Sequence, residues 1–222
     1  MPIRAKDSSL EESFFSAPMP LNPVVLVHGI TDTFSLFKTM TGQLDRMGWQ
    51  TYGLDLLPAN GDCHLDQLAQ QLADFIELTL PAGQPFDLVG FSMGGLVSRY
   101  YVQRLEGISR VQRFVSISAP HNGTIAAYLS QRPGCVQMRP NSEFLNDLNR
   151  DVRMLDRINF TSIWTPLDGI IVPAKSSVLP VGESIQIPVP LHAWMVTDSR
   201  SIHLVAEALR KPVQNQLAAT QN

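Results

Sequence analysis

Apolar positions along the chain follow two rhythms that take turns. Short continuous runs rich in valine and isoleucine, closed by glycine or a turn, alternate with longer stretches in which apolar residues recur every three or four places. The first run is PVVLVHG (23–29), and residues 34–47 follow at helical spacing through Phe34, Phe37, Leu44 and Met47. QTYGLDL (50–56) is the next strand candidate, after which Asp62 offers an N-cap to a helix with the stripe Leu65, Leu68, Leu72, Phe75 and Ile76. FDLVGF (86–91) predicts a strand and MGGLVSRYYVQRL (93–105) a helix, then VQRFVSISA (111–119) a strand. Residues 141–157 predict a helix with Phe144, Leu145, Leu148, Val152 and Leu155 on one side. NFTSIWT (159–165) and SIQIPV (184–189) predict strands, and 199–210 closes with Ile202, Val205, Ala206 and Leu209 on one helical face.

Strands that are apolar throughout, without alternation, are buried on both faces. Strand and helix take turns six times, and parallel neighbours need crossovers, which are usually helices. The expected fold is therefore α/β: a doubly wound, mostly parallel sheet of about six strands with helices on both faces. The 222 residues suit one domain, expected over 22–222, which needs no metal or disulfide staple to bury a core. Residues 1–21 carry no periodicity and are expected to form an arm, docked in part through Phe14 and Phe15.

Charge narrows the class further. With 17% charged residues and a formal net charge of −3, the chain lacks the basic footprint of a nucleic-acid binder. No run approaches the ~20 apolar residues of a membrane span, and the start lacks the unbroken apolar stretch of a secretory signal. A cytoplasmic protein is expected, in peripheral contact with membranes at most. In a reducing compartment Cys63 and Cys135 are expected to be free, buried thiols.

The stretch LVGFSMGGLVSRY (88–100) holds the main chemical signal. Gly90-Phe91-Ser92-Met93-Gly94 is a G-x-S-x-G spacing, with a strand directly before the serine and a helix directly after it. Three fixed small residues at about 7% abundance recur by chance in roughly one chain in fifteen of this length, so the context carries the inference. A serine on a strained strand-to-helix elbow stands above the carboxyl edge of the sheet, where open α/β sheets bind ligands. The glycines avoid clashes where strand and helix pass closely, and the helix amides lie under any developing negative charge.

A serine nucleophile needs a base and a group to orient it, in the chain order Ser, Asp or Glu, His on this fold. That order removes His28, His64, Asp55 and Asp62. His121 follows a strand too early, and His203 lies within the last helix, so His192 in VPLHAWM is favoured over His203. Asp168 in WTPLDGIIVP follows the penultimate strand and is favoured over Asp198, which can cap the last helix; Asp147 and Asp156 lie inside a helix. The oxyanion of a tetrahedral intermediate needs two backbone donors, expected to be the amides of Ile30 in HGIT (28–31) and Met93.

With these residues in view, the chain resembles the bacterial triacylglycerol lipases of the α/β-hydrolase superfamily, especially their small, nearly lidless members. The resemblance runs from about Val24 to Leu209 through VVLVHGI, YGLDL, LVGFSMGGLVSRYY, SAPHNGT, QMRPNSEFLNDLN, DGIIVPAKSSVLP and HAWMVTDSRSI. The elbow is shared by many hydrolases, whereas PHNGT and PNSEFLNDLN are narrower. The resemblance implies Ser92 as nucleophile, Asp168 as acid, His192 as base, and Ile30 with Met93 as oxyanion donors. A glycine often precedes that histidine in the family, where Leu191 stands here. The oxyanion loop has one glycine where many relatives have several, which resembles the variant associated with medium or longer acyl chains.

Around this constellation the residues are apolar. Phe34 and Phe37, Ile125 of a short flap between 124 and 141, and Trp194 with Met195 beside His192 are candidates for an acyl pocket, with about half expected to be core. The flap, which also carries Tyr128, Leu129, Val136 and Met138, is too short for a cap domain, so the lid is minimal. No H-E-x-x-H, Cys-x-x-Cys or G-x-x-x-x-G-K-[ST] motif occurs, so neither metal nor cofactor is implied. The expected function is a serine carboxylic-ester hydrolase acting on lipid esters. A thioesterase, an acyltransferase and a non-catalytic scaffold for a hydrophobic ligand stay open beside it. Expected partners are the ester substrate and a transient membrane surface, with no nucleic acid, and the chain is expected to act as a monomer.

Overall fold

The computed structural model describes residues 21–213, so the expected arm at 1–21, apart from Leu21, lies outside the described residues. Six strands form one sheet in the order β2-β1-β3-β4-β5-β6, and every neighbouring pair is parallel. They are β1 (Val24–Val27), β2 (Thr51–Gly53), β3 (Phe86–Phe91), β4 (Val111–Ile117), β5 (Asn159–Trp164) and β6 (Glu183–Gln186). The helices are α1 (Lys38–Arg46), α2 (Leu65–Thr79), α3 (Met93–Arg104), α4 (Pro133–Gln137), α5 (Glu143–Arg150) and α6 (Ser199–Arg210). This is the doubly wound, parallel α/β sheet that the alternation of patterns predicts.

The unbroken apolar strands are explained by two cores, one on each face of the sheet. Val25, Val27, Phe86, Leu88, Phe114 and Phe160 face a layer built from α2, α3 and α5. Their neighbours Val24, Leu26, Val89, Phe91, Val115, Ile117 and Ile163 face a layer built from α1 and α6. Successive side chains point to opposite faces, so both members of each pair must be apolar. At the edge, β6 is largely exposed and polar and Glu183 pairs with Lys211, which blunts an unpaired strand.

Two expectations are corrected. The N-cap of α2 is His64, whose N–H donates to Gln67 Oε1 at 3.4 Å. Asp62 instead accepts from Asn60 Nδ2 at 2.7 Å and pairs with Arg132, tying the loop before α2 to the flap. Helix 141–157 is broken: α5 ends at Arg150 and a 3-10 turn, Val152–Arg157, continues the apolar side. Both cysteines are free, but only Cys135 is buried. Among the described residues no helix is long and apolar enough to cross a membrane.

Strand order reverses direction between β1, which leads outward to β2, and β3, which begins the run to β6. The carboxyl end of that junction is where such sheets open a crevice. Ser92 and the loop after β1 sit there.

Candidate active site

β3 ends at Phe91 and α3 begins at Met93, so Ser92 alone turns the chain. Its backbone lies at φ 53°, ψ −123°, a region a residue with a Cβ enters only under strain. The turn is fixed by Ser92 N–H donating to the Ile117 carbonyl at 2.9 Å and Gly95 N–H to the Ser92 carbonyl at 3.0 Å. A methyl on Gly94 would lie 2.2 Å from the Val27 carbonyl oxygen, and one on Gly90 2.7 Å from Gly95 Cα. Glycine at both positions therefore lets α3 press its first turn onto β1 and β3.

The structure brings Asp168 and His192 together from loops that follow β5 and β6. His192 Nδ1 lies 2.7 Å from Asp168 Oδ2, and both side chains are largely enclosed. The other carboxylate oxygen accepts from the amides of Ile170 and Ile171, each at 2.9 Å. Burial alone would raise the Asp168 carboxyl, but the His192 bond and charge, with the two amides, hold it below its ordinary value. An ionised Asp168 can only accept, so the network assigns the proton to Nδ1 and leaves Nε2 as a free base. The imidazole packs on Phe91, with ring centroids 4.8 Å apart, next in sequence to Ser92.

The loop after β1 supplies donors. Thr31, at φ 61°, donates its N–H to the Ala59 carbonyl at 2.9 Å, and Asp32 N–H reaches the Gly29 carbonyl at 3.4 Å. The Ile30 amide makes no backbone hydrogen bond among the described residues. Met93 is the first residue of α3, so its amide has no acceptor one turn back. His28 has the structural role that chain order left it: Leu56 N–H donates to Nε2 at 2.9 Å, and Nδ1–H donates to the Gly29 carbonyl at 2.8 Å. The ring is a strut under this loop.

The remaining candidates separate cleanly. His203 is exposed on α6 beside Glu207, and Asp198 caps α6 by accepting from Arg200 N–H at 2.9 Å. Phe37 and Met195, expected near an acyl chain, are fully enclosed in the α1/α6 core and cannot line an open pocket. Phe34 is partly buried and lies over Gly53 of β2. Ile125 and Trp194 are exposed, as are Tyr128, Leu129 and Val136 of the flap, whereas Met138 is buried. The flap is a 3-10 turn, Ile125–Leu129, followed by α4. A cleft of about 600 Å³ between α2, α3, α4 and α5 contains none of Ser92, Asp168 or His192. Among the described residues no group of three or more His, Cys, Asp or Glu side chains forms a metal site.

Sequence reasoning missed three features. Arg99 is fully buried in α3, donating to Gln103 Oε1 at 2.7 Å, the Leu148 carbonyl at 2.8 Å and the His121 carbonyl at 3.4 Å. Burial, with Arg104 nearby, lowers its guanidinium to about 9. Thr124 Oγ1 donates to the Ile170 carbonyl at 2.7 Å and accepts from Val172 N–H at 3.0 Å, clamping the loop that carries Asp168. Asp32 places a carboxylate beside Ser92. Only Arg99 left a signal, as a lone cation among small and apolar residues.

Residues 23–139 match the family model described as palmitoyl protein thioesterase. The match covers the loop after β1 and the elbow and stops before Asp168 and His192, whose pairing rests on geometry. A curated relative, palmitoyl-protein thioesterase 3 of Dictyostelium discoideum, is 26% identical over 106 residues, covering 46% of this chain and 36% of its own length. The chain thus spans about a third of that relative. Among solved structures, the mature lipase BlEst2 of Bacillus licheniformis superposes with a TM-score of 0.71 at 16% identity, over 86% of this chain and 93% of that one. Aspergillus fumigatus lipase B gives 0.73 at 18% identity, over 87% and 53%. At such identities these two likenesses establish the fold.

Proposed function

The chain belongs to the palmitoyl protein thioesterase family, and on that premise we propose that it hydrolyses acyl thioesters and esters of lipid-like acids through an acyl-enzyme on Ser92. The observation that carries this reading is the 2.7 Å bond between His192 and Asp168, with the imidazole resting on the neighbour of Ser92. In the proposed cycle, His192 Nε2 takes the Ser92 proton as the serine oxygen bonds to the substrate's carbonyl carbon. The carbonyl electron pair moves onto oxygen and is received by the Ile30 and Met93 amides, each such donor contributing roughly 3 kcal/mol to the transition state. As the intermediate collapses, the bond to the leaving sulfur or oxygen breaks and His192 returns the proton to it. Water, deprotonated by the same imidazole, then attacks the acyl-enzyme and frees the carboxylic acid and the serine. Asp168 stays ionised and keeps the proton on Nδ1.

The substrate class is supported by the surroundings. Ile125, Tyr128, Leu129, Leu167, Ile170, Leu191 and Trp194 are large apolar side chains left exposed on the flap and on the loops around Asp168 and His192. Such a rim fits an acyl chain and a transient membrane-surface contact. The family supplies the thioester; the lipase-like fold is equally at home with an oxygen ester.

The test is product analysis on palmitoyl and shorter acyl thioesters and nitrophenyl esters, offered both in solution and in vesicles, with S92A as the blank. A fluorophosphonate should label the wild type, and S92A should lower kcat/KM by about 10⁵-fold. Faster turnover on long chains held in vesicles is expected. Equal release by S92A, or a folded wild type that does not label, would leave a non-catalytic scaffold that binds a hydrophobic ligand.

A further inference from the structure

Asp32 has no motif around it and no assigned role, yet its carboxylate borders the nucleophile. A methyl built on Gly29 Cα would lie 2.9 Å from Asp32 Oδ2, 3.2 Å from Ser92 Cβ and 3.3 Å from Phe91 Cδ1. The carboxylate and the serine thus flank one small gap that only the missing glycine side chain leaves open. The loop puts it there: Thr31 in the left-handed region and the Asp32 N–H bond to the Gly29 carbonyl curl the chain back over β1.

The carboxylate has no hydrogen-bonded partner. No hydrogen bond to either of its oxygens and no ion pair is formed among the described residues. Asp168, by contrast, is held by two amides and an imidazole. Burial pushes the Asp32 carboxyl up, and the nearby His28 and His192 offset this only in part. A half-buried, unpartnered carboxylate beside a site that must stabilise an oxyanion works against catalysis unless something from outside neutralises it. The group that arrives there on each turnover is the substrate.

We propose that Asp32 is a specificity-determining residue that receives a positively charged group on the substrate's leaving fragment, close to the scissile bond. The inference rests on the Ser92 hydrolase reading and adds a charge preference to it. A leaving fragment with an ammonium or guanidinium near the ester or thioester is favoured, and one with a carboxylate or phosphate at the same distance is rejected by the same field. In a thioester substrate the cation belongs to the residue or amine that carries the sulfur, not to the acyl chain.

Octanoyl esters of choline, of its uncharged carbon isostere with a tert-butyl group in place of the trimethylammonium, and of glycolate keep the acyl part constant while the leaving fragment changes charge. In the wild type, kcat/KM should rise about tenfold from the uncharged to the cationic ester and fall about tenfold to the anionic one. D32N, which keeps the shape and removes the charge, should bring both ratios close to one. Should D32N fail to fold, the wild-type ratios at low and high salt still decide, because screening must shrink a preference made by charge. Flat ratios in the wild type, or ratios that D32N preserves, overturn the role of Asp32. Turnover of the uncharged ester by the wild type and not by S92A upholds the hydrolase reading in that event, and absence of Ser92-dependent turnover on every ester removes both.

Discussion

Besides the proposed Ser92 and His192, a second serine and histidine lie close together among the described residues, and what separates the two sets is the third group and access. Ser116 Oγ is 2.8 Å from His121 Nε2, but both residues are fully buried and His121 Nδ1 has no partner. Burial, then the charge of Arg99, holds the His121 imidazole well below its ordinary value, so it cannot take up a proton from a hydroxyl. His192 has what His121 lacks: an ionised carboxylate on Nδ1 and a position at the rim. The difference predicts the effect of D168N. An amide there can offer N–H where a carboxylate only accepts, which favours the tautomer with Nε2 protonated and useless as a base. A fall in kcat of about 10³- to 10⁴-fold on a nitrophenyl ester is expected, with the thermal midpoint checked in parallel. A loss below about tenfold would mean that Asp168 does not orient the base.

Several elements converge on this rim, and strain marks where they do. Thr31 after β1, Ser92 after β3 and Ser118 after β4 all hold positive φ without being glycine. The narrow block PHNGT acquires a physical meaning at this scale: Thr124 clamps Ile170 and Val172, and Asn122 Nδ2 donates to the Ser176 and Val178 carbonyls, so the segment after β4 holds the loop that carries Asp168. T124V keeps the shape and removes the hydroxyl, leaving the Val172 amide without its acceptor. We expect about 1–3 kcal/mol of lost stability in urea unfolding, together with a lower kcat while Ser92 still labels with fluorophosphonate. A normal kcat with full stability loss would confine the clamp to folding. Such ties could not be read from the chain, because they join residues some 46 positions apart whose types are ordinary in any loop. The central strands could be read because each is buried on two faces, and the elbow because its glycines answer to backbone contacts that leave no other choice. Where periodicity fails, so does the reading. The five residues of α4 are too few to show a helical stripe, and β6 ends at Gln186 although the buried Ile187 and Val189 extend its pattern. Asp32 was illegible for the same reason, and Arg99 showed only as a cation in an apolar stretch, since a single charged side chain announces neither what it lacks nor what it holds.

For the molecule as a whole, the two rims of the sheet carry opposite designs. The carboxyl rim collects strain and an unpartnered carboxylate, whereas the amino rim is stapled. There Asp87, fully buried on β3, accepts from Asn22 Nδ2 at 3.0 Å, Arg113 N–H at 3.1 Å and Arg113 Nη1 at 3.0 Å. Arg113 Nε also donates to the Lys211 carbonyl just beyond α6, so one ion pair joins β3, β4, the approach to β1 and the end of the last helix. Burial raises the Asp87 carboxyl to about 6 despite Arg113 and Asn22. A carboxyl raised on folding binds its proton more tightly in the folded state, so its contribution to stability is complete below about 3.8 and is lost as pH rises through about 6. Asp168, Asp147 and Asp198 are shifted downward and act with the opposite sign, at the acid end. A difference curve isolates Asp87: the urea-unfolding free energy of the wild type minus that of D87N, followed from about pH 4 to pH 7, should fall by roughly 2–3 kcal/mol. A rise over the same window would mean that the groups meeting at Asp87 and Arg113 solvate the carboxylate better than water does, and the staple would then be an ordinary stabilising ion pair.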